Sequence, residues 1–180
     1  MTAYPVELEE HAVLRDGTEV FLRPVRGEDG PLLQDLLAHM SEEDRRLRFF
    51  GPLRRLSETL SFRLTHVDYQ HTIALLAFAA ETGAILGVVR LGTETDPRRA
   101  EFAVALRSDF KGRGLGWLLM QHMLALAARL GVAEVYGYVL HENERMLRMC
   151  RELGFTLASD PTEPEAVVAR RPTADLVTGA

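Results

Sequence analysis

One cysteine, Cys150, stands in 180 residues, which excludes an intrachain disulfide and any multi-cysteine metal site. A reducing, cytoplasmic setting is the expectation. Basic residues are not in excess: 21 Lys and Arg against 26 Asp and Glu leave a formal charge of −5, so nucleic acid is not expected as a partner. No apolar run reaches about 18 residues, so no membrane span is expected. The first thirty residues mix acids, bases and apolar residues where a secretory signal would place a basic start before an apolar stretch. His and acid spacings suited to a metal are missing, as is the Gly-x-Ser-x-Gly of a serine hydrolase. Neither a metal nor a serine nucleophile is expected. Apolar residues, by contrast, make up 47% of the chain, enough for one core in a single domain.

Residues 1–12 carry several acids and Pro5 with little periodicity, and read as a flexible arm before a single domain over 13–171; residues 172–180 read as a frayed tail. Asp16-Gly17 marks a turn before a strand over 19–25. Leu32, Leu33, Leu36, Leu37 and Met40 recur at helical spacing after Gly30-Pro31. Ser41 and Ser57 stand where caps of a second and third helix would be. Three β-rich runs, 72–80, 84–91 and 99–107, joined by short turns, predict an antiparallel meander. A helix over 114–130, with Leu115, Leu119, Met123, Leu126 and Leu130 on one stripe and Gly131 at its end, leads to a strand at 134–139 and makes a crossover. A helix over 143–153 stops at Gly154, and runs at 155–157 and 166–170 predict a closing strand pair. The fold class is α/β with a mixed, mostly antiparallel sheet flanked by helices.

Chemistry concentrates in the connection between the strand ending near Arg107 and the helix after it, where Gly112, Gly114 and Gly116 alternate. No Gly-Lys-Ser/Thr follows, so the turn is not a nucleotide P-loop, and two residues do not separate the second and third glycines, so it is not a dinucleotide fingerprint. What remains is a strand, a turn sparing in Cβ atoms and a helix N-terminus with unpaired amides, which favours an anion. Lys111 and Arg113 add positive charge at its rim.

This turn resembles the Gln/Arg-x-x-Gly-x-Gly/Ala signature of the GCN5-related N-acetyltransferase family, with Lys111 in place of the usual glutamine or arginine. The resemblance covers roughly residues 13–171. It implies a splayed sheet with acetyl-CoA in the gap, its pyrophosphate on Lys111, Gly112, Arg113, Gly114, Leu115 and Gly116, its pantetheine arm along Val104, Ala105 and Leu106, and Asn143 touching the arm. Ser41 to Pro52, Asp68-Tyr69 and Ala100 to Gly116 resemble the catalytic domain of bacterial protein lysine acetyltransferases that modify acyl-CoA synthetases. A protein lysine, possessed by such a synthetase or another protein, is therefore the acceptor implied.

A lysine amine is mostly protonated at neutral pH, so attack on a thioester needs a base. Glu101, an acid in the middle of an otherwise apolar strand, fits, and the resemblance gives the same position the family's catalytic glutamate. The alternative for Glu101 is a solvent-facing acid or a partner of Arg99. Many family members place a tyrosine seven residues after the cofactor asparagine to protonate the leaving thiolate; here Cys150 stands there, either as a proton donor or as core filling. His71 and His141 are candidates for the acceptor cleft or ordinary surface groups. Arg45, Arg46, Arg48, Arg54 and Arg55 offer either a surface for an acidic partner protein or a solvated helix face. Two other functions compete with lysine acetylation: acetylation of a small amine or N-terminus, and a CoA-binding sensor without catalysis.

Overall fold

The computed structural model describes residues 2–93 and 95–177. Eight strands form one sheet in the order β1-β2-β3-β4-β5-β6-β8-β7: β1 Glu10–Val13, β2 Glu19–Pro24, β3 Thr72–Ala79, β4 Ile85–Gly92, β5 Arg99–Leu106, β6 Glu134–Leu140, β7 Thr156–Ser159 and β8 Ala166–Pro172. All neighbours are antiparallel except β5 and β6. β3 is almost wholly apolar and buried because it has helices over both faces. Its alternate residues divide between two cores: Ile73, Leu75 and Ala77 face one, Ala74, Leu76 and Phe78 the other.

Helices α1 Gly30–Ala38, α2 Glu42–Phe49 and α3 Glu58–Thr65 lie over one face, and α4 Leu115–Arg129 and α5 Glu144–Glu152 over the other. Their limits follow the local chemistry. Pro31 sits in the first turn of α1. Ser41 and Ser57 accept hydrogen bonds from the amides of Asp44 and Leu60, as their positions led us to expect. In α2 the acids Glu42, Glu43 and Asp44 occupy the positive end and Arg46 and Arg48 the negative end of the helix dipole. Leu115, Leu119, Met123 and Leu126 of α4 are buried, whereas Leu130 lies beyond the helix and is exposed.

The described residues near both ends of the chain are better anchored than their composition suggested. Residues 6–8 form a 3-10 turn and β1 takes in residues 10–13, so the segment expected as an arm supplies an edge strand paired with β2. Tyr4 packs edge-on against Tyr69 at 5.9 Å. At the other end Pro172 closes β8, and buried Thr173 donates its hydroxyl to the Val132 carbonyl. Arg171 pairs with Asp175 at 2.9 Å. Residues 178–180 of the expected tail, and Met1 of the arm, lie outside the described residues. No helix among the described residues is long and apolar enough to cross a membrane.

The feature that positions the site is the short parallel ladder between β5 and β6. Pairing covers Arg99–Glu134, Ala100–Val135 and Glu101–Tyr136 and then stops, although both strands continue. The next pair would be Phe102 and Gly137. A Cβ built on Gly137 would lie 2.6 Å from the Phe102 ring, and that ring is held in turn by Phe155 at 5.3 Å. Phe102 thus uses the bare backbone of Gly137 as its seat where the strands part. Gly137→Ala overpacks this contact and should cost about 1–3 kcal/mol of stability, read as a lower urea midpoint at unchanged slope.

Candidate active site

Beyond Glu101, β5 has β4 on one edge, through pairs Gly87–Leu106 to Gly92–Glu101, and the departing β6 on the other. The backbone of residues 102–106 therefore faces a gap, and that gap opens into a cleft of about 570 Å³, a size suited to a small-molecule ligand. The cleft is lined by β5 from Glu101 to Leu106 and by Tyr138 and Val139 of β6, with α2 and α5 as walls and the turn at 111–116 at one end. Along β5, Glu101, Ala103 and Ala105 point to the face carrying α1–α3, and Phe102, Val104 and Leu106 to the face carrying α4 and α5. An extended ligand on the open edge would thus meet Glu101 on one side and α4 on the other.

The turn has the backbone of an anion cradle. Gly112 and Gly114 have φ of +80° and +90°, and Gly114 caps α4, whose first amides are unpaired within the helix. A Cβ on Gly114 would meet no protein atom within 4 Å, whereas one on Gly112 would meet Nη2 of Arg145 at 3.1 Å. Arg145, in the first turn of α5, therefore brings a guanidinium to the turn from the opposite wall. A strand edge, glycines of positive φ, a helix N-terminus and a guanidinium together fit a pantetheine and its pyrophosphate.

The acetyltransferase (GNAT) domain description matches residues 19–156. The chain belongs to the GNAT acetyltransferase family. An acetyltransferase of Pseudomonas aeruginosa is 31% identical over 159 residues, which is 87% of this chain and 86% of that one. The acetyltransferase Pat of Mycolicibacterium smegmatis is 27% identical over 155 residues, and this chain spans 44% of its length. Among solved structures, the GNAT domain of S. lividans PAT superposes with a TM-score of 0.87 at 28% identity, covering 94% of this chain and 99% of that domain. GNAT acetyltransferases take their acyl group from acetyl-CoA, and this chain is an acyltransferase of that family.

In this GNAT domain the cleft brings together Glu101, Val104, Ala105, Leu106, Lys111, Gly112, Gly114, Gly116 and Asn143. Two residues of the expected set turn elsewhere. Arg113 donates to Asp16 at 2.7 Å and to Thr18, and lies over the Phe110 ring, so its charge ties the turn to the β1–β2 hairpin instead of standing mobile at the rim. The Leu115 side chain is buried in the core, which leaves only its amide for a ligand. Asn143 lines the cleft, but its Oδ1 also accepts the Met146 amide and caps α5.

Cys150 of this acetyltransferase is wholly buried in the core, and burial pushes its thiol up to about 12. That favours the core-filling alternative over a proton donor. Tyr138 lines the cleft but donates its hydroxyl to Asp160 at 3.1 Å; burial first, then that hydrogen bond, raises its pKa, so the phenol keeps its proton. His71 is exposed and held by Asp68 at 2.7 Å, and neither it nor exposed His141 borders the cleft. The arginine cluster is dispersed: Arg46 pairs with Glu142, just before α5, at 2.6 Å, Arg54 approaches Glu42 at 3.8 Å, and Arg48 borders the cleft. Asp44, Trp117, Tyr138 and Arg145 are among the cleft residues to which the sequence assigned no part in the site, and Arg48, expected only as one of a surface cluster, borders the cleft too. Only Arg145, a cation two residues after Asn143, left a visible signal.

Lys111 joins the glycine turn to α2. Its Nζ donates to Asp44 at 2.5 Å, Ser108 donates its hydroxyl to the same carboxylate, and the Ser41 amide donates to Ser108 at 2.7 Å. Burial pushes the Asp44 pKa up, but the bonds from Lys111 and Ser108 and the Lys111 charge outweigh it and leave the group below its ordinary 3.8. A depressed folded value contributes stability that is present above the ordinary carboxylate range and lost as pH falls through the folded value. Asp44→Asn should therefore lower the melting temperature by several degrees at pH 7, and the gap from wild type should narrow at an acidic pH below the ordinary 3.8. Thermal melts at both pH values check this.

Proposed function

We propose that this acetyltransferase transfers an acetyl or short acyl group from acetyl-CoA to the side-chain amine of a protein lysine, by direct attack with Glu101 as general base. The position of Glu101 carries the reading. It is the last residue of β5 still paired with β6, it points to the side away from α4, and it borders the cleft where the strand edge becomes free. With the thioester along Val104–Leu106, an amine arriving between α2 and β6 would stand between the thioester carbon and this carboxylate. Glu101 takes the ammonium proton, directly or through water; the free amine forms the new C–N bond, the tetrahedral intermediate collapses with loss of the C–S bond, and the nitrogen's second proton passes through solvent to the departing thiolate, which leaves as the thiol. A free amide of residues 104–106 would hold the carbonyl oxygen as it gains charge.

Lys111, Arg145 and the first amides of α4 would hold the pyrophosphate, with Asn143 beside the pantetheine arm. The resemblance of Ser41–Pro52 and Ala100–Gly116 to the bacterial protein lysine acetyltransferases supports a protein lysine, an acyl-CoA synthetase among them. Incubation with labelled acetyl-CoA and a whole-cell extract tests the reading: label in lysine side chains is expected, label only in small amines or N-termini would overturn the acceptor, and CoA binding without transfer would leave a sensor.

A further inference from the structure

The wall between α2 and β5 holds a cation that the reaction above does not use. Arg48 stacks over the Phe49 ring at 4.7 Å, and its Nε is buried with no hydrogen-bond partner among the described residues. A buried N–H left unpaired is costly, and native structures seldom keep one without a reason. Arg48 borders two spaces: the cleft and a side chamber of about 50 Å³ beneath α1 and α3. The two share Met40, Arg48, Phe49, Ala103 and Ala105 as walls. The rest of the chamber is apolar except for Arg90, which stands on β4 opposite Ala103.

Among the charges that act on Arg48 and Arg90, cations outnumber acids. Burial holds Arg48 down to about 10, with attraction from Glu101 and repulsion from Arg90 following. Arg90 is lowered first by burial and then by Arg63, again with Glu101 attracting it. Two partly or wholly desolvated guanidinium groups thus share one carboxylate. An oxygen ligand carrying a second negative charge would satisfy the orphaned Nε and the charge together.

We propose that Arg48, with Arg90 behind it, forms a subsite for a free carboxylate, which the geometry places on a dicarboxylic acyl group carried by the donor thioester. The inference rests on reading β5 as the donor track. Ala103 and Ala105 flank Val104, where the thioester is expected, so an acyl chain longer than acetyl would run toward the shared wall. The chamber has room for about two water-sized groups, so the methylene would enter it with the carboxylate held at the shared wall by Arg48. In the transfer itself the amine still bonds to the thioester carbon and CoA still leaves as the thiol, while the distal carboxylate is untouched. The same subsite would equally recognise a carboxylate beside the acceptor amine, and the test separates the two sources.

Calorimetry first establishes CoA binding to the full chain. Then kcat/KM is compared for succinyl-CoA and butyryl-CoA, which have equal chain length and differ in charge, with one amine panel. Wild type is expected to prefer succinyl-CoA by about tenfold; Arg48→Met should bring the ratio near one, and Arg48→Lys should keep part of it. A second arm uses acetyl-CoA with lysine peptides bearing or lacking an adjacent glutamate. A tenfold preference there alone, lost in Arg48→Met, supports the subsite with the acceptor as its carboxylate source. CoA binding with both wild-type ratios within twofold of one overturns the subsite and spares the donor track; no CoA binding overturns both. The wild-type ratios decide the matter even if Arg48→Met fails to fold.

Discussion

Glu101→Gln is expected to lower kcat/KM for acetyl transfer by about 10²–10⁴, the range over which a positioned base contributes. The amide is isosteric, and the backbone pairs Glu101–Tyr136 and Glu101–Gly92 do not depend on the side chain, so CoA affinity should change little. The residual rate carries the sharper information. Without a base, only amine already deprotonated in solution reacts, so the variant's rate should climb about tenfold per pH unit up to the amine's own pKa near 10.4, while wild type levels off earlier. Thiol release at saturating acetyl-CoA over pH 6–10 reads both. A variant that keeps the wild-type rate and profile would remove Glu101 from the mechanism. Arg48 and Arg90 bear on the same experiment, because both guanidinium groups feel the Glu101 charge and lose that partner in the variant.

The readable parts of the fold were those governed by local chemistry. Ser41 and Ser57 cap helices because a serine just before a helical run can satisfy an unpaired amide of the first turn with its hydroxyl. Gly131 and Gly154 have positive φ just past the ends of α4 and α5, a conformation for which glycine is suited. The meander was visible because short turns leave β3, β4 and β5 little choice of neighbour. What escaped depended on contacts distant in sequence. β1 was hidden because an edge strand with exposed residues has little apolar alternation. Arg113 was read as a rim cation because nothing near it in sequence reveals Asp16 and Thr18, nearly a hundred residues earlier. Arg48 passed as one of a surface cluster, whether for a partner protein or for solvent, because burial of a single cation on a short polar helix leaves no periodic trace. The seat of Phe102 on Gly137, which parts the strands, is likewise invisible until β5 and β6 are set side by side.

Gly114→Ala tests whether the turn acts through its conformation. Gly114 holds φ of +90° at the cap of α4, and the space beside it is clear of protein atoms. An alanine there meets no clash but must bear the left-handed strain, about 1–2 kcal/mol. Gly83, at the hairpin between β3 and β4, has φ of +71° and equally open space, and it is not part of the cleft. The two alanine variants should therefore lose similar stability. Their effects on CoA should separate. In Gly114→Ala the chain can relieve the strain only by rotating the peptides that present the first amides of α4, and the added methyl occupies the space an anion would approach. A rise in Kd for CoA of about 10–100-fold is expected, equivalent to roughly 1.4–2.7 kcal/mol. Gly83→Ala should bind CoA as wild type does. Calorimetric titration of both, paired with urea denaturation, checks the contrast. Equal CoA affinity in the two variants would mean that the glycines serve the strand-to-helix turn alone, and the pyrophosphate would then have to be assigned to Lys111 and Arg145.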